Sequence, residues 1–273
     1  VGQIEVLRGP QGTLRGRASP SGSITVTTKR PDLYDVGGYV SGRLAEREST
    51  NFNGAINVPV IAGKLGVRVA GLSSRNRGNE AYGRNLVTGD LDKNVKVENE
   101  AIRASVRADP FEGVFVLDFN YEGIHSHAIQ YDQVESFNQV LSTAAASPRT
   151  VMAKDREGIE TMPRDIDQKF QVYNWQAQLN LFGQSLTYVG SRVHAKINSN
   201  DPLDDAGIFL GVVSAAAPTR PFVQFTQNSF KQDTHEIRLQ NEERIFGLFD
   251  YVIGGMRIKA DGPTLFNRAT ATA

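Results

Sequence analysis

The sequence predicts an all-β protein, in the form of a partial transmembrane antiparallel β-barrel of about nine strands. Apolar and polar residues alternate along most of the chain, and short and long connections alternate between the candidate strands. No segment shows the spacing of an amphipathic helix. A helical membrane protein is excluded, because no apolar run approaches the roughly 18 residues that a membrane helix requires.

The alternation has period two, which places successive side chains on opposite faces of a strand. In the segment 115–122, four apolar or aromatic residues share one face, while Asp118, Asn120 and Glu122 share the other. The same pattern is clear in segments 51–58, 101–107 and 173–181, and weaker in segments 38–46, 64–75, 185–197, 230–240 and 246–258. One face is therefore expected to be apolar and the other wet.

The connections between these strands fall into two classes. Turn residues predict tight turns near 59–64, 109–113, 182–184 and 241–243. Long polar segments occupy 76–98, 125–167 and 198–228, at the opposite ends of the strands. Short turns on one side and long loops on the other are typical of an outer-membrane barrel. The short connection near residues 47–50 is the exception to this alternation.

A soluble β-sandwich is the alternative, because its strands also alternate between an apolar and a polar face. Loops of 20 to 40 residues are uncommon in compact sandwiches, and the polar faces are rich in Asn, Gln and Arg, as suits a wet lumen. Tyr173 and Trp175 are candidates for an interfacial aromatic girdle. Closed single-chain barrels use an even number of strands, so nine strands are expected to belong to a larger barrel.

Composition excludes several classes of function. Thirty basic and thirty acidic residues balance, and the pI near 7.1 gives no reason to expect nucleic acid as a partner. The absence of cysteine excludes disulfides, thiolate metal sites and cysteine nucleophiles. No motif of an esterase, a metalloprotease or a Ser/His/Asp enzyme is present, so we expect neither catalytic residues nor an enzyme.

The first 30 residues are basic and rich in glycine, with five basic residues and one acid. A phosphate-binding loop would need the G-x-x-x-x-G-K-[ST] spacing and a following helix, and the segment has neither. The stretches "IEVL" and "SITVTT" predict two strands joined by an ordered, turn-rich loop.

This opening segment resembles a known family. "IEVLRGPQGTLRGRASPSGSITVTTKRP" is similar to the end of the plug domain of TonB-dependent outer-membrane receptors, which typically read V-E-V-L-R-G-P, then G-T-L-Y-G-R, then G-x-I-N-x-V-T-K-R-P. "GVRVAGLSSRNRG" and "FKQDTHEIRLQNE" resemble barrel strands of the same family. Two residues depart from the family pattern. Arg15 stands where the family commonly has Tyr, Phe or Leu, and Thr25 stands where it commonly has Asn.

The resemblance implies a division at residue 36. Residues 1–36 would be the C-terminal part of a plug domain, and residues 37–273 the N-terminal part of a barrel of 22 strands. Arg8 and Arg30 are then candidates for ion pairs between plug and barrel. Arg15 and Arg17 are candidates for a plug loop that faces an anionic ligand, although the interpretation that they only solvate a turn or brace the barrel wall is favoured over it.

The resemblance also implies a function and partners. The expected function is active uptake of a scarce nutrient, with a ferric siderophore as the default, across the bacterial outer membrane. The expected partners are the TonB–ExbB–ExbD complex, acting through a plug segment upstream of this sequence, the cargo itself and outer-membrane lipid. No cofactor is expected. Two other functions stay open, a soluble or surface β-sheet adhesion protein and, less favoured, an outer-membrane barrel enzyme.

Weaker patterns carry little chemistry. His125 and His127 lie two apart in an extended segment, but no third metal ligand has a suitable spacing. Asp90, Asp92 and Asn94 have the alternate spacing of a calcium loop without its glycine and terminal glutamate. No metal site is therefore expected.

Overall fold

The computed structural model describes residues 2–9, 22–46, 48–77, 81–84, 90–131, 157–158, 163–202 and 222–270. Within these residues the regular structure is entirely β. The strands are β1 (Gln3–Arg8), β2 (Gly22–Thr27), β3 (Gly37–Ala45), β4 (Ser49–Ile61), β5 (Leu65–Asn76), β6 (Tyr82–Arg84), β7 (Leu91–Asp92), β8 (Lys96–Ala108), β9 (Phe115–Gln130), β10 (Glu157–Gly158), β11 (Arg164–Leu181), β12 (Gln184–Pro202), β13 (Phe222–Asn241), β14 (Val252–Asp261) and β15 (Thr264–Thr270). No helix in this described part is long and apolar enough to cross a membrane.

One large antiparallel sheet dominates the molecule. Its strands follow the order β3, β4, β5, β8, β9, β11, β12, β13 and β14, and β15 also pairs with β13. Lys231 lies opposite Asp261 and Asn228 opposite Thr264, so β14 and β15 share one register along β13. They are two pieces of one strand, interrupted at Pro263, which has no N–H to donate to the ladder. The sheet therefore has nine strand positions, and the predicted all-β class is confirmed.

The connections alternate as predicted, with two differences. The turn after β13 spans residues 242–251 and is longer than predicted. The strands also reach further toward the long loops, so that residues 125–130 belong to β9 and residues 164–167 to β11. In these extensions both faces of the sheet carry polar side chains, and the few apolar residues, Ala128, Ile129 and Ile166, no longer alternate regularly with them.

The turn between β11 and β12 has two residues with positive φ, Phe182 at 55° and Gly183 at 70°. Both central residues of a type I′ hairpin turn require such values. Because the phenylalanine side chain is 95% exposed, it contributes nothing to packing within the described chain.

The sheet has two distinct faces. The inner face, defined by Asn57, Ser105 and Asp118, lies against residues 29–35. Direct cross-strand pairing puts Arg68, Ser105, Asn120 and Asn174 in one row of this face. The outer face is apolar near the short turns. Its residues there are Val58, Val67, Val69, Ile102, Val106, Leu117, Phe119, Tyr121, Tyr173, Trp175, Leu179, Leu186, Tyr188, Ile237, Leu239 and Ile253.

The apolar part of the outer face has a clear upper limit. Tyr121 and Tyr173 stack with ring centroids 5.0 Å apart, and the next outward residue of β8 beyond Ile102 is Glu100. A charged side chain facing lipid costs about 2–4 kcal/mol at the bilayer midplane and little at the interface. In the transmembrane barrel that the sequence predicts, the tyrosines therefore mark the interface, and the charged rows beyond them are expected outside the hydrocarbon.

Trp175 gives a direct test of which face meets lipid, since it is the only tryptophan of the chain. Its ring lies over Gly190, where a Cβ would collide with it. After every other tryptophan of the full-length protein is replaced by phenylalanine, we expect the fluorescence of Trp175 to be strongly quenched by brominated lipids. The matched variant W175F/Q176W moves the indole to the adjacent inner-face position of β11, and we expect that variant to be quenched several-fold less. Equal quenching of the two proteins would contradict the assignment of the faces.

Candidate functional site

The side chain of Asn57 on the inner face binds residues 32–35, the segment that leads into β3. The Asp32 N–H donates to Asn57 Oδ1 at 2.9 Å, and Asn57 Nδ2 donates to the carbonyls of Asp32 at 3.1 Å and Asp35 at 2.7 Å. Asn57 is only 3% exposed. An asparagine side chain offers both an acceptor and two donors, so it can satisfy both ends of this turn at once.

Packing holds the same segment against β5. Pro31 and Leu33 are buried, and the Gly63 N–H donates to the Leu33 carbonyl at 2.8 Å. Gly66 makes this contact possible, because a Cβ at that position would lie 2.7 Å from the Asp32 carbonyl oxygen and 3.2 Å from Leu33 Cδ2. Residues 31–35 are therefore fixed to the wall of the sheet.

A charge cluster lies next to this segment. Arg107 Nη1 lies 3.3 Å from Asp118 Oδ2, and Arg30 Nε lies 3.8 Å from the same oxygen. The Asp118 and Arg107 side chains are mostly buried, at 12% and 22% exposure, whereas Arg30 is 56% exposed. The pair within the sheet is thus shielded from water, and the contact to Arg30 is open to it.

A second ion pair lies two rows further from the turn on the same face. Arg103 Nη2 lies 2.6 Å from Glu122 Oε2. Between Lys29 and the strands is a cavity of about 290 Å³, lined by Lys29, Tyr39, Arg68, Ala70, Arg103 and Ser105. Three of these six residues are cations and none is an acid; Arg103 is paired with Glu122, so Lys29 and Arg68 are the cations of this cavity without a carboxylate in its lining.

Of the four arginines predicted as site residues, one lies at the inner face of the large sheet, one lies in the separate pair of strands, and two lie outside the described residues. Arg30 lies at the inner face beside Asp118. Arg8 ends β1, which pairs only with β2, and it makes no ion pair within the part of the chain that the structure describes. Arg15 and Arg17 lie outside the described residues.

Two histidine–carboxylate pairs lie on the outer face beyond the tyrosines. His125 Nε2 lies 2.6 Å from Asp167 Oδ2, and His127 Nε2 lies 2.9 Å from Asp165 Oδ1. They join β9 to β11 rather than lying in a loop as predicted. The described residues contain no group of three or more ligating side chains that could hold a metal ion.

Asp92 has a structural role. It accepts a hydrogen bond from the Asn94 N–H at 2.8 Å and another from the Tyr131 hydroxyl at 2.7 Å. Tyr131 is 3% exposed and covers Gly83 of β6, where a Cβ would collide with its ring. The acidic spacing that resembles a calcium loop therefore serves to pack this connection.

Acid is expected to weaken the link between β9 and β11. The hydrogen bond from His125 is the main cause that holds the pKa of Asp167 below its ordinary value of 3.8. A carboxylate with a lowered pKa stabilises the fold above that ordinary value, and the contribution disappears as the pH falls through the lowered pKa. We expect Asp167→Asn to destabilise the full-length protein at pH 7 and to destabilise it less at pH 3, measured as the shift in thermal unfolding midpoint. An equal shift at both pH values would contradict this assignment.

Sequence reasoning missed the two inner-face residues that contact the segment, Asn57 and Asp118. Both were placed correctly on the polar face. Asn57 lies 25 residues from Asp32 in the sequence, and Asp118 lies 11 residues from Arg107. Only the folded sheet brings each of these pairs into contact. A polar residue on a wet face carries no sign in the sequence that it is buried.

Comparisons with known proteins identify the class. No protein-family model matches the chain. A segment of 65 residues is 37% identical to the pesticin receptors of Yersinia enterocolitica and Yersinia pestis, covering 24% of this chain and 10% of those receptors. The matched segment is thus about a tenth of the length of these curated relatives.

Solved structures match almost the whole chain. The ferric yersiniabactin uptake receptor FyuA of Yersinia pestis aligns with a TM-score of 0.74 at 17% identity, over 98% of this chain and 37% of that one. The alcaligin outer-membrane receptor FauA of Bordetella pertussis gives 0.62 at 13% identity, over 98% and 35%. The siderophore receptor PiuA of Acinetobacter baumannii gives 0.66 at 14% identity, over 96% and 35%.

The chain therefore has the fold of the TonB-dependent outer-membrane receptors, as the resemblance of its first 30 residues predicted. The sheet corresponds to part of the barrel of such a receptor. A soluble β-sandwich is excluded, because the large sheet continues through nine strand positions and does not pack on a second one within the described chain. The three matched structures are all named as receptors, and FauA as an outer-membrane receptor, which is the location and the class of protein that the sequence analysis expects.

Proposed function

We propose that this chain is part of a TonB-dependent receptor that carries a ferric siderophore across the outer membrane. One observation carries the proposal: the barrel wall, with a basic segment docked on its inner face, aligns over 98% of its length with an uptake receptor for a ferric siderophore. The chain spans 37% of that receptor, so the proposal concerns the complete protein.

The division into two parts belongs to the same proposal. Residues 1–36 form the end of a plug, and residues 37–273 the first part of the barrel. Support comes from the place where the large sheet begins, at Gly37, and from the separate pairing of β1 with β2. The contacts of Asn57 with the backbone of residues 32 and 35 support a boundary close to residue 36.

The geometry suggests how the plug is held and released. The three hydrogen bonds of Asn57, which we call the clamp, and the packing of Leu33 keep residues 31–35, the connection, attached to the inner face of the barrel wall. Arg30, more than half exposed, makes a weak contact with Asp118, worth at most about 1 kcal/mol at such exposure. A pull by the TonB–ExbB–ExbD complex would separate Arg30 from the wall at little cost while the connection behind it stays in place.

Arg15 and Arg17 remain proposed as ligand-facing residues of the plug loop. A ferric siderophore that carries net negative charge would be attracted by two guanidinium groups. Replacing Arg15 by Tyr, the residue type common in the family, is expected to weaken binding of an anionic ferric siderophore to the complete receptor about tenfold. Unchanged affinity would reject the role for Arg15.

Uptake by living cells tests the function. A strain that lacks this receptor and its own siderophores would be given radioactive iron on single chelators, of the hydroxamate, catecholate and phenolate classes. We expect one class to restore iron accumulation only when the receptor is expressed, and a protonophore or the loss of TonB to abolish it. Accumulation that ignores both treatments would contradict TonB-dependent transport, and no uptake of any ferric chelator would contradict a siderophore as cargo.

A further inference from the structure

The outer face carries a groove between β12, β13 and β14. Its volume is about 420 Å³, and its outward-facing residues are Tyr188, His235, Ile237, Gly255 and Arg257. The strand register places Tyr188, Ile237 and Gly255 in one row, and His235 opposite Arg257 in the next. The groove is thus apolar at its lower end and has a guanidinium at its upper end.

A glycine keeps the groove open. A Cβ at Gly255 would meet no atom within 4 Å, and the backbone there has no positive φ that would require glycine. The Tyr188 hydroxyl lies 2.8 Å from His235 Nδ1, and the two rings are nearly parallel, so this wall is held in position. Ile237, 50% exposed, forms the floor beside Gly255.

The groove lies at the upper limit of the apolar part of the outer face. Leu186, Leu239 and Ile253 lie one row below it, and the row above Arg257 contains Lys259, Asp233 and Arg192. A molecule seated here would have its apolar part level with the hydrocarbon and its polar part among charged side chains.

The charged rows above the groove are mainly basic. The outward-facing charges of β12 to β14 in this region are Arg192, Lys196, Lys231, Asp233, Arg257, Lys259 and Asp261. Arg192 Nε pairs with Asp233 Oδ1 at 2.6 Å. The seven side chains, five basic and two acidic, give these three strands a net positive charge; Lys196, Arg257 and Lys259 make no ion pair within the described part of the chain, in which β14 is the edge strand of the sheet.

We propose that this groove binds a phosphorylated glycolipid of the outer leaflet. One acyl chain lies along Tyr188, Ile237 and Gly255, and a head-group phosphate is bound by Arg257 and Lys259. Arginine and lysine are the side chains best suited to phosphate, and the arginine fork can contact two oxygens at once. The apolar groove suits the acyl chain of such a lipid, and the basic side chains directly above it suit the phosphate of its head group.

The test measures binding of lipid A to the complete receptor in detergent, with dephosphorylated lipid A as the second probe. The variant R257E/K259E reverses the charge at the upper end of the groove, and Gly255→Leu fills the groove itself. Each is expected to weaken binding of lipid A at least tenfold. Removing the phosphates is expected to weaken binding to the wild type by a similar factor and to change binding to R257E/K259E little.

Matched controls separate this site from general effects. Lys64→Glu makes the same kind of charge change at the exposed turn on the opposite end of the sheet, and Gly37→Leu adds a side chain where a Cβ also meets no atom within 4 Å. Both are expected to bind lipid A like the wild type. Wild-type affinity in R257E/K259E and Gly255→Leu, or equal affinity for the two lipids in the wild type, would overturn the proposal. Siderophore uptake is measured separately, so the two proposals stand or fall independently.

Discussion

Replacing Asn57 by alanine is expected to release residues 31–35, the connection between the proposed plug and the barrel, from the inner face of the sheet. The change removes three hydrogen bonds to the backbone of residues 32 and 35. At about 1 kcal/mol each, their loss lowers the free energy of local opening by about 3 kcal/mol. Hydrogen exchange of the Asp32 and Gly63 amides, which are bonded to Asn57 and Leu33, is then expected to become about 100-fold faster, because 1.4 kcal/mol corresponds to a factor of ten.

Asn53→Ala is the matched control for this prediction. Asn53 lies on the same strand and the same face, but its side chain donates to Asn51 Oδ1 at 3.0 Å and does not touch the connection. Exchange of the Asp32 and Gly63 amides is expected to stay at the wild-type rate in this variant. If both variants accelerate exchange equally, the effect comes from β4 as a whole and not from the clamp.

The fold could be predicted from the sequence because lipid and water sort the side chains locally. Each residue of segment 173–181 meets either the apolar or the wet side, so period two appears directly in the sequence. The upper halves of the strands gave no such signal. At His125 and Asp167 both faces are polar, and cross-strand pairs in place of lipid hold the sheet together.

The site was harder to predict than the fold, since its residues contact one another only through the register. The family pattern directed attention to the arginines of the first 30 residues. Most contacts to the connection instead come from the wall, through Asn57, Gly66 and Asp118. A two-residue shift of β4 would keep Asn57 on the inner face but move it away from residues 32 and 35, and the alternation of apolar and polar residues does not exclude that shift.

Replacing Asp118 by alanine is expected to have the other large effect. Arg107 would lose its partner while its side chain stays 22% exposed, and an unpaired, largely buried charge costs about 3 kcal/mol. The loss of Arg30 from the same carboxylate adds at most about 1 kcal/mol, because Arg30 is 56% exposed. We therefore expect Asp118→Ala to lower the thermal unfolding midpoint of the complete receptor far more than Arg30→Ala does.

Double-mutant cycles separate the two contacts. The coupling between positions 107 and 118 is expected to be about 3 kcal/mol, and that between positions 30 and 118 at most about 1 kcal/mol. Glu122→Ala is the matched control, since Glu122 lies on the same face of β9 and pairs with Arg103 at 2.6 Å without contacting Arg30. If Arg30 helps to seat the plug, Arg30→Ala and Asp118→Ala should both admit a large hydrophilic antibiotic into cells, and Glu122→Ala should not. Leakage through Glu122→Ala alone would place the contact between plug and wall at Arg103 instead.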